Sequence, residues 1–233
     1  MITLPSLCRD AWHLFFPHIC CGCGDDNIEQ SQLICANCYN ELPRTLFANI
    51  PENTIEKIFY GRLNLDAAHS EFYFSKGQLV QRLIHELKYK GNKELGIFLG
   101  QVMGETLLNS NRFSGIDIII PLPMFGDKIK KRGYNQAEII ALGVAEKMKI
   151  PISSNNLKRN RSTSTQTRKH RTERWQNVDQ SFIVVDEAAL TGKSILLIDD
   201  VITTGATLDA CGQAILKIPG TKLSISTVAQ ATH

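Results

Sequence analysis

Short apolar runs alternate with helical patterns through most of the chain. Unbroken runs at residues 116–120 and 195–198 are typical of strands that are buried on both faces of a parallel sheet. Residues 223–228 are small and β-prone and predict a last strand. Apolar positions recur at helical spacing in 78–89, and a further helix is predicted at 208–217. This alternation predicts an α/β fold in which helices flank a parallel sheet.

Weaker patterns complete the outline. Asn92 is a candidate N-cap for a helix that has Leu95 and Leu99 on its buried side. Residues 42–65 contain two prolines and no sustained period, so we interpret them as a connection. The remaining predicted elements are a strand at 71–74, a helix from about 135 to 147, and short strands at 150–152 and 181–185.

The carboxyl end of the run at 195–198 carries two acids and a small-residue loop. Asp199 and Asp200 follow the run, and ligands of open α/β sheets bind at that edge. Two adjacent carboxylates are costly to bury without partners. The loop that comes next lets backbone N–H groups approach an anion at the start of the following helix. Its residues are Thr203, Thr204, Gly205, Ala206 and Thr207. We therefore predict a phosphate site beside two carboxylates.

A second unit of strand, turn and helix has similar features. The turn at 121–123 ends the run at 116–120, because proline cannot join a central ladder. A basic loop is predicted at 127–133, and its cations are Lys128, Lys130, Lys131 and Arg132. Cations this close to a sheet edge favour an anion-binding loop as much as a merely solvated one. Lys88 and Lys90, at the end of the helix predicted at 78–89, allow the same two interpretations.

The spacing of four cysteines predicts a metal site near the amino terminus. Cys20 with Cys23 and Cys35 with Cys38 form two CxxC pairs, which can place four thiolates tetrahedrally around Zn²⁺. A closed shell of four sulfurs leaves no open position for chemistry, so the predicted zinc is structural. A segment this short and this poor in apolar residues also needs a cross-link in order to fold.

Other interpretations of the cysteines stay open. The sequence CCGC also admits Cys21 as a ligand, although only Cys20 reproduces the two-residue gap of the second pair. A dithiol redox pair and four unliganded core cysteines are the alternatives to a metal site. Cys8 and Cys211 stand alone and fit small core positions.

Composition is that of an ordinary globular protein, but the charge is uneven. The chain has 233 residues, 43% hydrophobic and 21% charged, with a net charge of +3. Residues 157–175 hold seven Lys or Arg residues against the single acid Glu173. A local basic stretch suggests a phosphorylated ligand or a nucleic acid as its partner. Residues 162–167 offer little to bury, so we expect this stretch to be mobile and suited to a lid.

Several classes of protein are disfavoured. No apolar run approaches the ~20 residues of a membrane-spanning helix. Arg9 and Asp10 interrupt the segment that a signal peptide would keep apolar, so we expect a cytoplasmic protein without a membrane span. Residues 191–194, TGKS, resemble the end of a Walker A loop, but Glu187 occupies the position of its first glycine and the motif precedes a strand. Nucleotide triphosphatase activity is therefore not expected.

The motifs resemble those of a known family. LLIDDVITTGAT resembles the PRPP-binding signature of type I phosphoribosyltransferases. With the CxxC pairs, HELKYKGNKELG, PLPMFGDKIKKRGYNQ and LKRNRSTSTQTRKHRTERWQNVDQSF, the chain is similar to the ComF (ComFC/GntX-like) family of competence-associated, phosphoribosyltransferase-like proteins from Cys20 onward. The resemblance implies a type I phosphoribosyltransferase fold with a small N-terminal zinc module. The implied domains are the module at 1–45, a connection at 46–65 and the phosphoribosyltransferase-like domain at 66–233.

The resemblance also implies roles for individual residues. Asp199 and Asp200 would bind the ribose 2- and 3-hydroxyls as the catalytic carboxylates, and the loop at 203–207 would hold the 5-phosphate. Residues 121–123 would form the pyrophosphate loop, with Lys128, Lys131 and Arg132 near the leaving group. The implied PRPP-binding set is Val201, Thr203, Thr204, Gly205, Ala206, Thr207, Leu122, Pro123, Lys128 and Arg132. The lid and nucleic-acid candidates are Lys131, Arg159, Arg161, Gln166, Arg168, Arg171 and Arg174.

Two functions of different class follow. The first is a PRPP-binding protein of natural transformation and DNA uptake that uses Mg²⁺ and transfers phosphoribosyl to an unidentified acceptor. The second is a non-catalytic single-stranded DNA-binding or adaptor protein in competence that keeps the fold and uses its basic residues. Only Tyr134 and Trp175 accompany these cations, which gives base stacking weak support. Expected partners are PRPP, single-stranded DNA and competence or DNA-processing proteins, including helicase-like and DNA-loading partners.

Overall fold

A four-stranded parallel sheet organises the part of the chain that the computed structural model describes, namely residues 18–124, 126–159 and 181–231. The strands are β1 (Ala67–Phe74), β2 (Ile118–Pro121), β5 (Ser194–Ile202) and β6 (Lys222–Ala231), in the order β1-β6-β5-β2. Each neighbouring pair in this sheet is parallel. A separate antiparallel pair joins β3 (Leu157–Arg159) to β4 (Phe182–Val184). The predicted α/β fold with a parallel sheet is confirmed.

Helices cover both faces of this sheet. In chain order they are α1 (Ala36–Asn40), α2 (Thr54–Ile58), α3 (Leu79–Tyr89), α4 (Lys93–Leu108), α5 (Gly126–Arg132), α6 (Gln136–Met148) and α7 (Ala206–Leu216). Short 3-10 helices lie at Phe47–Asn49 and Asn111–Phe113. Within the described ranges, no helix is long and apolar enough to cross a bilayer. The division into a module, a connection and a main domain stays a prediction.

The central strand β5 separates two hydrophobic cores. Leu196 and Ile198 pack into the core that contains α3, α4 and α6. Ile195 and Leu197 pack into the core of α2 and α7 on the other face. All four side chains are 0% exposed, as the unbroken apolar run predicts. Successive side chains along a strand point to opposite faces of the sheet. Asp199 and Asp200, which follow in β5, should therefore point to opposite faces as well.

Three local predictions need correction. β5 continues through Asp199 and Asp200 to Ile202, because its ladder with β6 extends to that residue. The acids thus lie inside the strand rather than after it. The basic segment 127–133 is largely helix α5 instead of a loop, and its acid in the first turn and cations in the last turn suit the helix dipole. Residues 150–152 contribute only a single bridge from Ile152 to Ile119.

Other local predictions are confirmed. β1 contains the strand expected at 71–74 and begins earlier, at Ala67. Asn92 caps α4 by accepting a hydrogen bond from the Leu95 N–H at 3.0 Å, and Asn135 caps α6 by accepting one from Ala137. Cys211 is a fully buried core residue of α7. Cys8 lies outside the described residues.

Two glycines let α4 and α6 pack with their backbones in contact. A Cβ on Gly100 would lie 2.1 Å from the Ile140 carbonyl oxygen, and one on Gly143 would lie 2.1 Å from that of Ile97. Neither neighbour can move independently, because both atoms belong to helix backbone. This contact holds α6 against α4 and so fixes the amino end of α6, where Asn135 and Gln136 lie.

We expect Gly100→Ala to lower the free energy of unfolding by about 1–3 kcal/mol, since the added methyl group overpacks the contact between the two helices. Gly126→Ala is the matched control. No described atom lies within 4 Å of the position that its Cβ would take, and its φ is ordinary. Urea unfolding of both variants measures the difference. Equal stabilities would show that the helices can separate without cost.

Candidate functional site

A polar pocket of about 190 Å³ opens at the carboxyl edge of the sheet. It lies where the adjacent strands β2 and β5 end, and the Leu122 N–H donates to the Ile198 carbonyl there at 2.8 Å. The pocket brings together seven of the residues predicted for the site: Leu122, Pro123, Arg132, Arg159, Asp199, Asp200 and Thr207. The sheet edge therefore collects side chains from the two predicted ligand-binding units.

The two carboxylates reach this pocket from opposite faces of the sheet. Asp200 follows Ile198 on the face of α3, and its Oδ2 lies 2.6 Å from the Lys88 Nζ. Asp199 is on the face of α7, where its charge, after burial, adds to the raised pKa of Cys211. The Asp200 N–H also donates to Asp199 Oδ1 at 2.8 Å. Asp200 is the more buried of the two, and its charge is met by an ammonium group.

The loop at 203–207 forms the amino end of α7. Gly205 is the N-cap residue at φ 72°, and a Cβ there would lie 2.8 Å from Ile58 Cγ2, so this position requires glycine. Thr203, Thr204 and Ala206 are exposed, and Thr207 lines the pocket. A helix amino terminus beside a polar pocket suits a phosphate group, because the first N–H groups of a helix have no acceptor within the helix.

Two arginines close other sides of the pocket. Arg132 donates to Gln136 Oε1 at 3.0 Å, and its guanidinium lies 5.5 Å from the centre of the exposed Tyr89 ring. Arg159 stacks 5.0 Å from the Phe182 ring, and burial lowers the pKa of its guanidinium. Both cations remain charged near neutral pH, so they can face a polyanion.

Several predicted residues lie elsewhere. Val201, Thr203, Thr204, Gly205, Ala206 and Lys131 are not among the residues that line the pocket. Lys128 belongs to α5, but its side chain is outside the described part of the structure. The lid candidates Arg161, Gln166, Arg168, Arg171 and Arg174 also lie outside the described residues, as does Trp175. Their roles stay predictions.

The pocket also contains residues that were not assigned to the site from the sequence: Lys88, Met124, Asn135, Gln136 and Ala137. Asn135 donates from Nδ2 to the Leu122 carbonyl at 2.9 Å and so ties the turn after β2 to α6. Gln136 is 1% exposed, and its Nε2 has no hydrogen-bond partner among the described residues. Asn135 and Gln136 follow the basic segment in PLPMFGDKIKKRGYNQ. They begin a predicted helix next to that segment, and this position is the signal that could have indicated them. Lys88 comes from a separate motif, and no local pattern places it opposite Asp200.

The four cysteines of the CxxC pairs form one cluster. The sulfur atoms of Cys20, Cys23, Cys35 and Cys38 all lie within 4.8 Å of one another, which is compatible with a metal ion such as zinc. Cys21 is not a member, and its Sγ instead accepts a hydrogen bond from Asn92 Nδ2 at 3.4 Å. The predicted choice of Cys20 over Cys21 agrees with this geometry.

Hydrogen bonds favour the thiolate form of Cys20. Burial raises its pKa, but backbone N–H groups, including those of Cys35 and Gly22, outweigh this and lower the pKa to about 6. The Cys35 N–H donates to the Cys20 sulfur at 3.2 Å. Burial raises the pKa of the Cys38 thiol, an effect that a bound metal ion would oppose by stabilising the thiolate.

A family model and a solved structure are each similar to part of this chain. The family model described as a phosphoribosyl transferase domain matches residues 129–232, which include Asp199, Asp200 and the loop at 203–207. Neither Lys88 nor the cysteine cluster lies in the matched segment. A solved structure of the glutamine phosphoribosylpyrophosphate amidotransferase of B. subtilis covers 57% of this chain and 25% of its own, with 20% identity and a TM-score of 0.42.

Three curated relatives are similar in sequence. Competence protein F of Haemophilus influenzae is 31% identical over 49% of this chain and 51% of its own length. DNA utilization protein YhgH of Escherichia coli K12 is 27% identical over 58% of this chain, and the match spans only 60% of that protein. Competence protein ComFC of Bacillus subtilis is 24% identical over 90% of this chain and 76% of its own. With the parallel sheet and the clustered cysteines, these matches support the resemblance to the ComF family of phosphoribosyltransferase-like proteins.

Proposed function

We propose that the pocket binds PRPP and that the protein transfers its phosphoribosyl group to a nucleophilic acceptor in DNA uptake or utilization. One observation carries the proposal: a single polar pocket combines two carboxylates with the amino end of α7 and at least two cations. PRPP has a diol between two anionic groups, so it needs acceptors in the middle of its site and donors at both ends. The names of the curated relatives support the link to competence and DNA utilization.

Each part of the ligand has a matching part of the pocket. Carboxylates accept charge-assisted hydrogen bonds from a diol, which suits Asp199 and Asp200. The loop at 203–207 suits the 5-phosphate, because the amino end of a helix favours negative charge. Arg132, on the side of the turn after β2, suits the pyrophosphate.

Transfer from such a complex requires no strong protein nucleophile. The bond from C1 of ribose to the pyrophosphate oxygen breaks, the pyrophosphate leaves with that electron pair, and an acceptor nitrogen forms the new bond to C1 and then loses its proton. With PRPP bound as proposed, the carboxylates of Asp199 and Asp200 stabilise the positive charge that develops on the sugar, and Arg132 stabilises the departing anion. Mg²⁺, when bound, neutralises pyrophosphate charge, and the oxygen donors of this pocket fit that hard cation.

We expect Asp200→Asn to weaken PRPP binding by ~10-fold or more, because the neutral amide loses the charge-assisted contact with the diol. Calorimetric titration with PRPP and Mg²⁺ measures this. Asp186→Asn, an exposed acid outside the pocket, is the control and should bind as the wild type does. A pyrophosphate-release screen over bases and nucleic acids then tests transfer. Equal PRPP affinity in both variants would remove the carboxylate from the site.

We also propose that the four-cysteine cluster holds one structural Zn²⁺. Cys20→Ser should lose stoichiometric zinc and unfold at a lower temperature, because three thiolates no longer close the shell. Its neighbour Cys21→Ser is the matched control and should keep one zinc ion. Metal analysis and X-ray absorption of the purified proteins measure both, with four sulfur ligands expected in the wild type. Zinc loss in Cys21→Ser alone would reverse the assignment.

Single-stranded DNA is a second candidate ligand, favoured by the exposed cations of α5 next to the pocket. Lys130 and Lys131 are both exposed. Tyr134, one of the two aromatic residues near the basic segments, is 9% exposed and its hydroxyl donates to the Leu87 carbonyl, so it does not present a ring to a base. Binding here would therefore rest mainly on phosphate contacts.

For DNA, we expect the double variant Lys130→Ala with Lys131→Ala to make the logarithmic salt dependence of binding shallower, by ~0.7 for each lost contact. Fluorescence anisotropy with a labelled oligonucleotide at several salt concentrations measures the slope. Asp200→Asn should leave that slope unchanged. A double variant with the wild-type slope would remove α5 from the DNA site.

A further inference from the structure

Lys88 forms an ion pair with Asp200, the carboxylate that the ribose diol of PRPP would also bind. Nζ lies 2.6 Å from Oδ2, and the two side chains are only 21% and 13% exposed. A pair so close and so poorly solvated holds its geometry more firmly than a surface ion pair does. A ligand that binds Asp200 must therefore displace or share this ammonium group.

Helix α3 holds the backbone of Lys88 in a fixed place. Leu83, Ile84 and Leu87 pack into the core, and the Leu87 carbonyl accepts a hydrogen bond from the Tyr134 hydroxyl at the start of α6. Near the other end of α3, Arg82 Nε donates to the Gly22 carbonyl at 2.6 Å. The helix cannot shift easily, but the four-carbon stem of lysine can swing its charge to another partner within the pocket.

The same pocket has one donor, the Gln136 side-chain amide, that finds no acceptor among the described residues. Gln136 is 1% exposed, and its Nε2 has no described hydrogen-bond partner. The other end of the same amide, Oε1, accepts from Arg132 at 3.0 Å. A buried donor without an acceptor is costly, so a ligand with oxygen acceptors would relieve it. Lys88, Arg132 and Gln136 thus surround a space suited to an anionic oxygen group.

We propose that Lys88 is an exchange cation that selects ligands carrying both a diol and a pyrophosphate. In the free pocket its ammonium neutralises Asp200. When PRPP binds, the diol takes over Asp200 and the ammonium moves to the pyrophosphate. This inference rests on the proposed function and adds a residue from outside the segment matched by the phosphoribosyl transferase family model.

Electrostatics explains the selectivity. A neutral diol alone replaces a charged partner poorly, because the displaced ammonium would be left in a poorly solvated place without a counter-ion. The pyrophosphate supplies that counter-ion in the same binding event. Ribose 5-phosphate has the diol but no pyrophosphate, so it must compete with Lys88 for Asp200. The wild-type pocket should therefore bind ribose 5-phosphate, which forms when PRPP is hydrolysed, more weakly than it binds PRPP.

The experiment compares two ligands by calorimetry, PRPP and ribose 5-phosphate, each with Mg²⁺. We expect Lys88→Met to weaken PRPP binding by ~10-fold or more, as the loss of a charged contact predicts. The same variant should bind ribose 5-phosphate as tightly as the wild type or more tightly. Lys88→Arg should restore much of the PRPP affinity. Lys90→Ala, an exposed cation paired with Glu86 on the same helix end, is the control and should change neither affinity by more than ~2-fold.

The outcomes separate this inference from the proposed function. If the wild type binds PRPP but Lys88→Met weakens both ligands equally, Lys88 is only a structural ion pair and the inference is wrong. A PRPP affinity unchanged in Lys88→Met would also overturn it. If the wild type itself does not bind PRPP, the proposed function fails, and the inference with it. Lys88→Gln, with thermal unfolding of each variant, shows whether any loss reflects the fold instead.

Discussion

A carboxylate that the sheet carries below the protein surface governs the arrangement of the site. Asp200 is 9% exposed at the end of a strand that is buried on both faces. A charge in that position needs a partner, and Lys88 supplies one from the other side of the pocket. The core packing of α3 and the contact of α6 with α4 hold the polar walls of the pocket in place around this pair.

Successive side chains of β5 point to opposite faces of the sheet, so the site is built from elements on both faces. Because Asp199 and Asp200 face opposite cores, one acid meets the elements around α7 and the other meets α3. The cysteine cluster extends this second side. Gly22 lies so close to Leu79 that a Cβ would approach its Cδ1 to 2.6 Å, and the same position would come within 2.8 Å of the Cys38 sulfur. The cluster therefore lies directly against the first turn of the helix that carries Lys88.

Local patterns predicted the parts of the site that consecutive residues build. The apolar run, the paired acids, the glycine at the start of α7 and the CxxC spacing each reflect one strand, turn or knuckle. Local patterns could not predict contacts between distant segments. No residue near Lys88 in the sequence indicates that its side chain contacts Asp200. The prediction of a loop at 127–133 was wrong for another reason. The charges of this segment suit a helix terminus as well as a loop. Contacts between distant segments also decide the exposure of Tyr134, because its ring is covered by packing against α3.

The most direct test of the account is a crystal structure of the protein with PRPP and Mg²⁺. We predict the ribose diol on Asp199 and Asp200, the 5-phosphate on the amides of the loop at 203–207, and the pyrophosphate beside Arg132 with the Lys88 ammonium moved towards it. PRPP bound away from this pocket, or bound with the pair between Lys88 and Asp200 intact and the diol elsewhere, would contradict the account.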